Sequence, residues 1–425
     1  MGGNNMNFKL YTRVLDGGEA VVRVIIDCGH EMNAARLSND LFNVQVKRYY
    51  QGKLLDEANR VITNVYTTTT ENGYPSHKGR YIHLSLLTHK DTKAATTMIY
   101  DTDLMLTRFV DLAYDIRLNH DLICEDGVIL HARTPISYAG LIAHHVDRFE
   151  DFESSLGLKY REFAPEFDGN KKPLVVWLHG MGESGHDNRL QISANRGGVA
   201  FVTKESQEIF GGCYVIAPQC PSFWMPIEYH EKKINDDYTK QILSLIDEVC
   251  VFHPDIDEDR IYIGGCSMGG YQTFKTVLAN PNRFAAAFPI CAAYQLSTKE
   301  AWRLKNLPIW LVHSLADATV SSELSIKNYE LLKQVNTDVE LTLYPEVRYN
   351  GELYNGHASW VLALRNLPVN EEGVHLFEWL SRKSQQMTLQ TKELKKKKRL
   401  YGLACCTLAL CLGAIAIQTL NKKEN

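Results

Sequence analysis

The sequence predicts an α/β protein in which a doubly wound, mostly parallel sheet follows a small all-β sandwich. Residues 1–125 hold closely spaced runs of alternating apolar and polar residues, which are typical of half-buried antiparallel strands. Residues 146–385 alternate continuous apolar runs with helical patterns, which are typical of a parallel sheet covered by helices. A chain of 425 residues has room for two or three such units.

The N-terminal strands are predicted from period-two patterns such as residues 21–26 and 42–49, with turn residues between neighbouring runs. Several short strands without a long helical pattern indicate a small antiparallel sandwich. The histidines of this region are scattered along the sequence, so we expect no catalytic group there. Residues 126–145 are predicted to be a linker.

The second region begins with strand candidates that are apolar throughout, as expected for strands buried on both faces. The strand candidates are 173–179, 213–217, 260–265, 284–291, 308–313 and 339–344, and the helix candidates are 236–252, 321–334 and 372–383. Because strands and helices alternate, the sheet is expected to be mostly parallel, with catalytic groups at the carboxyl ends of its strands.

The C-terminal segment predicts a membrane anchor. Residues 386–399 are polar and then basic, and form a predicted linker. Residues 400–420 carry no charge, and at ~1.5 Å per residue a helix of this length spans about 31 Å, close to a bilayer core. Since residues 392–399 contain six Lys or Arg, the positive-inside rule predicts a transmembrane helix that holds the catalytic domain in the cytoplasm.

Charge and cysteine usage exclude several classes of protein. The formal net charge is −4, so no basic field favours a nucleic-acid partner. Ten cysteines are spread without a C-x-x-C pair, so a zinc or dithiol redox site of that type is not predicted, and no metal site is expected. The oligomeric state cannot be inferred from the sequence.

The motif Gly265-Cys-Ser-Met-Gly269 is the strongest chemical signal. It lies between a β-rich run and a helical run, which is the context required for a nucleophile elbow. Ser267 would occupy a strained strand-to-helix turn, where side chains in place of the flanking glycines would collide with neighbouring backbone. Ser267 is therefore the candidate nucleophile.

An acid and a base follow Ser267 in the order typical of α/β-hydrolases. Asp317 follows a predicted strand, whereas its rival Asp338 opens one and therefore lies at the wrong end. His357 lies in a later loop beside Gly356, which would allow a sharp bend. His375 is the competing base, but the sequence places it in the last helix.

The remaining site candidates are backbone donors and pocket residues. The glycine-rich turn His179-Gly-Met-Gly-Glu183 would aim N–H groups at an oxyanion, so we assign the donors to Met181 and to Met268, the residue after the nucleophile. His179 itself is assigned a structural role. Pocket candidates are Gln219, Trp224 and Trp360.

These motifs together resemble an esterase branch of the α/β-hydrolases. The resemblance rests on residues 178–183, 187–190, 217–221, 265–270, 282–290 and 356–360, with Asp317. The branch includes polyhydroxybutyrate-depolymerase-like and feruloyl-esterase-like proteins, which are described as prolyl-oligopeptidase-like predicted peptidases. Some members carry an N-terminal immunoglobulin-like domain, which residues 27–30 and 37–44 resemble. The resemblance implies a serine esterase that needs no cofactor. The stretch of residues 345–354 is longer than the corresponding stretch of the family pattern, which implies that the wall of the substrate pocket differs from that of the family.

The predicted function is hydrolysis of carboxylic esters through an acyl-enzyme, with a small-molecule or acylated ester as substrate. A serine peptidase of the prolyl-oligopeptidase-like type would use the same groups and remains an alternative. A catalytically silent, membrane-tethered binding protein is a second alternative, against which the ordered triad argues.

Overall fold

The computed structural model describes residues 6–89, 92–132 and 134–385. Two sheet-based domains follow one another along these residues. The first contains only strands and three short 3₁₀ helices, whereas the second alternates strands with helices.

The N-terminal domain is a β-sandwich whose two main sheets enclose a shared apolar core. Its strands are β1 (Asn7–Leu15), β2 (Gly18–Asn33), β3 (Phe42–Tyr50), β4 (Lys53–Asn59), β5 (Ile62–Thr68), β6 (Lys78–Leu86), β7 (Met98–Asp101), β8 (Leu106–Phe109), β9 (Asp111–Leu118), β10 (Leu122–Ile123), β11 (Ile129–Leu130) and β12 (Ser137–Ala143). One sheet has the order β12-β1-β2-β6-β5 and the other β4-β3-β9, while β7–β8 and β10–β11 form hairpins. The 3₁₀ helices are Ala34–Arg36, Asn39–Leu41 and Lys93–Ala95. Alternate residues of the facing strands, such as Val24, Leu84 and Val44, are buried between the two sheets.

The segment predicted as a linker, 126–145, takes part in the first sheet. Strand β12 lies in this segment and pairs in parallel with β1, from Asn7 opposite Ser137 to Thr12 opposite Ala143. This pairing was not foreseen because a parallel edge strand joins residues that are distant in sequence. The domain limits expected from the sequence remain a prediction.

The second domain is built on an eight-stranded sheet with helices on both faces. The strands of this domain are β13 (Glu150–Glu153), β14 (Lys159–Phe163), β15 (Lys172–Leu178), β16 (Tyr214–Pro218), β17 (Ile227–Tyr229), β18 (Lys232–Ile234), β19 (Ile256–Cys266), β20 (Ala286–Ile290), β21 (Ile309–Ser314), β22 (Val339–Tyr344), β23 (Arg348–Tyr349) and β24 (Glu352–Leu353). The sheet order is β13-β14-β16-β15-β19-β20-β21-β22, and β17–β18 and β23–β24 are separate hairpins. The pairs from β16 to β22 are parallel, and β13 and β14 are antiparallel.

The helices of this domain are short. They are α1 (Leu190–Ser193), α2 (Lys204–Phe210), α3 (Thr239–Phe252), α4 (Met268–Ala279), α5 (Thr298–Arg303), α6 (Glu323–Lys333), α7 (Trp360–Ala363) and α8 (Leu376–Ser381), with 3₁₀ helices at Val146–Arg148, Met181–Glu183, Gly198–Val202 and Pro281–Arg283. Helix α8 is shorter than predicted, because Gly373 has a φ of +77° and Val369 forms a β-bridge with His375. Apolar clusters lie on both faces of the sheet, and β15 is buried at every position, as its apolar run predicts.

The predicted transmembrane helix is not supported. Residues 386–399 and 400–420, the basic linker and the predicted span, lie outside the described residues. Among the residues that are described, no helix is long and apolar enough to cross a membrane. The fold class that the described residues support is therefore the sandwich followed by the α/β domain, and we withdraw the predicted membrane anchor and the cytoplasmic placement that depended on it.

Candidate active site

Ser267 occupies a strained turn between β19 and α4. Its φ of +56° and ψ of −116° are rare for a residue with a side chain, and such strain persists only where surrounding contacts enforce it. The N–H of Ser267 donates to the carbonyl oxygen of Ile290 on the neighbouring strand β20, at 2.9 Å. The turn therefore presents the serine hydroxyl at the carboxyl edge of the parallel sheet.

The glycines around Ser267 are required by close approach of the backbone. A Cβ atom on Gly265 or on Gly269 would collide with the carbonyl oxygen of Leu178, the last residue of β15. Neither position has room for any side chain without a shift of backbone. The steric reason expected from the sequence motif thus holds at both positions.

Ser267, His357 and Asp317 form one hydrogen-bonded chain. The Ser267 hydroxyl lies 2.9 Å from Nε2 of His357, and Nδ1 of His357 lies 2.7 Å from Oδ2 of Asp317. With the carboxylate ionised, Nδ1 donates to it, and Nε2 is then free to accept the proton of the serine hydroxyl. The two competitors have other partners, since Asp338 pairs with Lys383 and His375 Nδ1 donates to the carbonyl of Asn366.

The loop that carries His357 is fitted against the acid loop. A Cβ on Gly356 would collide with the carbonyl oxygen of Ala316, the residue before Asp317. The sequence suggested that Gly356 permits a sharp bend, but its φ is not in the positive range, so close approach is the structural reason for glycine. The N–H of His357 donates to Oδ1 of Asn355 at 2.9 Å, which caps the turn.

Asp317 is fixed by a second histidine. The His313 Nε2 lies 3.0 Å from Oδ2 of Asp317, and Oδ1 accepts from the N–H groups of Thr319 (2.8 Å) and Val320 (2.9 Å). Burial alone would raise the pKa of Asp317, but the hydrogen bonds from His313 and His357 hold it far below its usual range. The carboxylate is therefore ionised at neutral pH although its side chain is fully buried.

Sequence reasoning missed the role of His313. It is four residues before Asp317 at the end of β21, and its Nδ1 contacts the hydroxyl of Ser325 at 2.7 Å. Because Nε2 faces two acceptors, Asp317 Oδ2 and the carbonyl of Val320, this nitrogen carries the proton. A histidine placed i, i+4 before the acid was the available signal.

The backbone donors assigned to an oxyanion begin two helices. Met268 is the first residue of α4, and Met181 is the first residue of a 3₁₀ helix that follows β15. The first N–H groups of a helix have no partner within it, so both are suited to bind developing negative charge. The sulfur of Met268 accepts from the N–H of Trp224 at 3.3 Å, which ties this residue to a neighbouring loop.

Comparison with known proteins matches the two domains to two family models. Residues 7–131 match the esterase Ig-like N-terminal domain, and residues 165–351 match the phospholipase/carboxylesterase family. Each of the two domains is thus similar to a domain found in esterases. The family resemblance found in the sequence is thereby confirmed, including the immunoglobulin-like nature of the first domain.

Two relatives illustrate this similarity. A solved structure titled as a thermostable esterase superimposes with a TM-score of 0.76 and 29% identity, covering 89% of this chain and 99% of that one. Acyl-protein thioesterase 1 of Neurospora crassa is 32% identical over 96 residues, which is 21% of this chain. The matched part spans only 39% of that thioesterase.

Gln219 supports residues 179–183, the loop that carries the predicted donor Met181 and is called the oxyanion loop below, and its side chain is not exposed. It is 1% exposed, and its Nε2 donates to the carbonyl of Glu183 and to Asp187, both at 3.0 Å. Its Oε1 accepts from the N–H of Asn188 at 2.6 Å. All polar atoms of Gln219 are thus used within the protein, and we correct its assignment as a substrate contact.

The two tryptophans that were predicted to line the substrate pocket differ in burial. Trp224 is 1% exposed and packs on His179, with 5.2 Å between ring centroids, so its pocket assignment is also corrected. Trp360 is half-buried and meets the ring of His357 edge to face at 5.4 Å, which keeps it beside the reaction centre. His179 uses both ring nitrogens on backbone, at Gly180 O and Cys220 N.

Glu183, the last residue of the oxyanion loop, has a buried carboxyl group. Its Oε1 accepts from Nδ2 of Asn195 at 3.0 Å, while Oε2 is buried without a hydrogen-bond partner. Burial raises the pKa of Glu183 to about 7. Burial likewise lowers the pKa of the neighbouring His179 to about 4, so this histidine is neutral at pH 7.

Within the described residues, one group of donors has the composition of a metal site. The Cys291 sulfur, a carboxylate oxygen of Asp317 and a ring nitrogen of His357 lie within 4.8 Å of one another. Two of these three residues already share the 2.7 Å hydrogen bond of the triad. An ion held by all three would have to separate them, so the geometry favours a proton relay over metal binding.

The N-terminal domain contacts the oxyanion loop through the β7–β8 hairpin. The Tyr100 ring and the Thr107 hydroxyl would lie 3.5 and 3.2 Å from a Cβ on Gly182. The Leu104 carbonyl oxygen in the hairpin turn accepts from the hydroxyl of Tyr229 at 2.8 Å. This contact was not predicted, because no sequence pattern indicates which domain surfaces will meet.

Proposed function

We propose that this protein is a serine hydrolase that cleaves carboxylic esters through an acyl-enzyme, with Ser267, His357 and Asp317 as its catalytic triad. The hydrogen-bonded chain from the Ser267 hydroxyl through His357 to the buried Asp317 carries this proposal. A serine hydroxyl becomes a useful nucleophile only when an oriented base accepts its proton, and this chain supplies that base.

In the first half-reaction, Oγ of Ser267 attacks the ester carbonyl carbon while its proton moves to Nε2 of His357. The carbonyl electrons move onto the oxygen, and the N–H groups of Met181 and Met268 bind that oxyanion. When the tetrahedral species collapses, the bond to the alkoxy oxygen breaks. His357 gives its proton to the leaving alcohol, and the acyl group stays on Ser267.

In the second half-reaction, water replaces the alcohol. His357 accepts a proton from water as its oxygen attacks the acyl carbon, and then returns that proton to Oγ of Ser267 as the carboxylic acid leaves. Asp317 stays ionised throughout, since its four hydrogen bonds favour the charged form, and it stabilises the imidazolium that forms twice in each cycle.

The names of the similar proteins support transfer of an acyl group to water, and they differ in whether the leaving group is an alcohol or a thiol. One is a thermostable esterase and the other an acyl-protein thioesterase. We therefore propose an acyl ester as the substrate class, with the acyl chain length to be determined. A peptidase would require an amide to bind at the same triad, and no observation on the described residues favours an amide over an ester.

The test is a panel of p-nitrophenyl esters from acetate to decanoate, with a matched acyl thioester and a peptide p-nitroanilide. Wild type should hydrolyse at least one ester, and Ser267→Ala should reduce the rate to that of the buffer. A fluorophosphonate probe should label wild type and not the variant. Equal ester rates for both proteins would refute the proposal, and preference for the anilide would establish the peptidase.

A further inference from the structure

We propose that Asp16, in the turn between β1 and β2 of the N-terminal domain, is a positioning residue for His357. This inference rests on the proposed function, because it takes His357 as the catalytic base. The Asp16 side chain is only 7% exposed, although it lies in a turn, because it projects into the hydrolase domain.

The chain before His357 forms a small hairpin that needs external support. Residues 345–354 contain the small hairpin β23–β24, which has only two paired residues in each strand. The N–H of Tyr354 donates to the carbonyl of Val347 at 2.8 Å and closes this hairpin. An isolated two-stranded hairpin of this size is not stable by itself. Since His357 follows Tyr354 by three residues, movement of the hairpin would move the histidine.

Asp16 binds the chain on both sides of His357. The hydroxyl of Tyr354 donates to Oδ2 of Asp16 at 3.2 Å. Arg365, which follows helix α7, donates from Nε to Oδ1 at 3.0 Å and from Nη2 to Oδ2 at 2.7 Å. One carboxylate of the N-terminal domain thus joins residue 354 to residue 365, and His357 lies between them.

The contact with Arg365 is a two-point ion pair of low exposure. The side chains of Asp16 and Arg365 are 7% and 24% exposed. The guanidinium also lies over the ring of Tyr349 in β23, at 4.0 Å, and donates to its hydroxyl at 3.1 Å. Arg365 therefore holds the β23–β24 hairpin while Asp16 holds Arg365. Removing the Asp16 charge would leave Arg365 partly buried without its anion, which is more disruptive than loss of an exposed pair.

Glu19 provides a matched control a few residues away. Its carboxylate is 1% exposed and accepts two hydrogen bonds from Arg189 Nη2, at 2.8 and 2.9 Å. This pair also crosses between the domains, but Arg189 precedes α1 and is not part of the segment that carries His357. A variant at Glu19 thus reports the loss of an inter-domain ion pair without loss of support for His357.

The experiment compares full-length Asp16→Asn and Glu19→Gln with wild type by ester kinetics and by hydrogen exchange of residues 345–365. We expect Asp16→Asn to lower kcat about 10-fold with little change in KM, since a misplaced base slows the chemical step without weakening binding. Exchange of residues 345–365 should rise. Glu19→Gln should leave exchange of that segment at the wild-type level and change kcat less than twofold.

Tyr354→Phe keeps the ion pair and serves if Asp16→Asn does not fold. It should lower kcat about two- to threefold and raise exchange near residue 354. Equal kcat losses in Asp16→Asn and Glu19→Gln, or unchanged exchange of 345–365 in Asp16→Asn, would overturn the inference. If wild type neither hydrolyses esters nor reacts with the fluorophosphonate, the proposed function fails instead, and the exchange data still decide whether Asp16 orders this segment.

Discussion

The two ends of the proposed proton relay are built in different ways. Ser267 is placed by its immediate neighbours. Its strained turn is fixed by two glycines that pack against β15 and by a hydrogen bond to β20. His357 lies on a loop whose support comes from far along the sequence, including a hydrogen bond from Tyr354 to a residue 338 positions away. A nucleophile can therefore be specified by a short motif, whereas its base depends on tertiary contacts.

The largest effect is expected from a change in the nucleophile elbow, the turn that carries Ser267. Gly269→Ala would place a Cβ against the Leu178 carbonyl oxygen, and backbone cannot yield as a flexible side chain can. We expect ester hydrolysis and fluorophosphonate labelling to fall at least about 100-fold, because Ser267 would be displaced. Gly17→Ala is the control, since a Cβ there meets no atom within 4 Å. If Gly269→Ala kept wild-type labelling, the elbow would be less constrained than its contacts indicate.

The acid lies between the two ends, and His313 tests how it is held. His313→Asn shortens the side chain, so that no donor at this position reaches Asp317 Oδ2 and the pKa of Asp317 should rise. Because a protonated Asp317 no longer stabilises the imidazolium of His357, kcat is lost as this carboxylate takes up a proton at low pH, and in the variant that loss should begin at a higher pH. We expect kcat at pH 7 to fall about 10-fold.

Ser325→Ala is the matched control for His313, because it removes only the hydroxyl at the far nitrogen of the ring. It should change kcat about twofold and leave the acid limb in place. A pH profile of His313→Asn that coincides with wild type would show that Asp317 is held by His357 and the N–H groups of Thr319 and Val320 without His313.

The sequence was sufficient for the features that depend on neighbours in the chain. Ser267, its glycines and the fully buried β15 follow from local pattern and steric rules, and Asp317 and His357 were recognised from their order along the chain. His313 was missed because its role depends on the direction of a ring. Asp16 and the β7–β8 hairpin were missed because no local pattern encodes which surfaces of two domains meet. Gln219 and Trp224 were misassigned because burial is not visible in a motif.

The last expected effect is on stability and not on the reaction rate, and it concerns Glu183 in the oxyanion loop. Burial raises the pKa of Glu183 to about 7 from an ordinary value of 4.5, so the folded state favours the protonated form. That stabilisation is present below about pH 4.5 and is lost as pH rises through 7. The free energy of unfolding should therefore fall by about 3 kcal/mol over this interval through Glu183 alone.

Glu183→Gln removes this titration, so its free energy of unfolding should depend less on pH than that of wild type between pH 5 and 8. Urea unfolding at pH 5 and at pH 8 measures the difference, with Glu208→Gln, at an exposed position of α2, as a control that should follow wild type. Parallel curves for wild type and Glu183→Gln would mean that Glu183 is ionised in the fold. The Oε2 atom, buried without a hydrogen-bond partner, would then need a donor that the present contacts do not provide. The oxyanion loop would in that case depend on contacts beyond its own neighbourhood, as the His357 loop does.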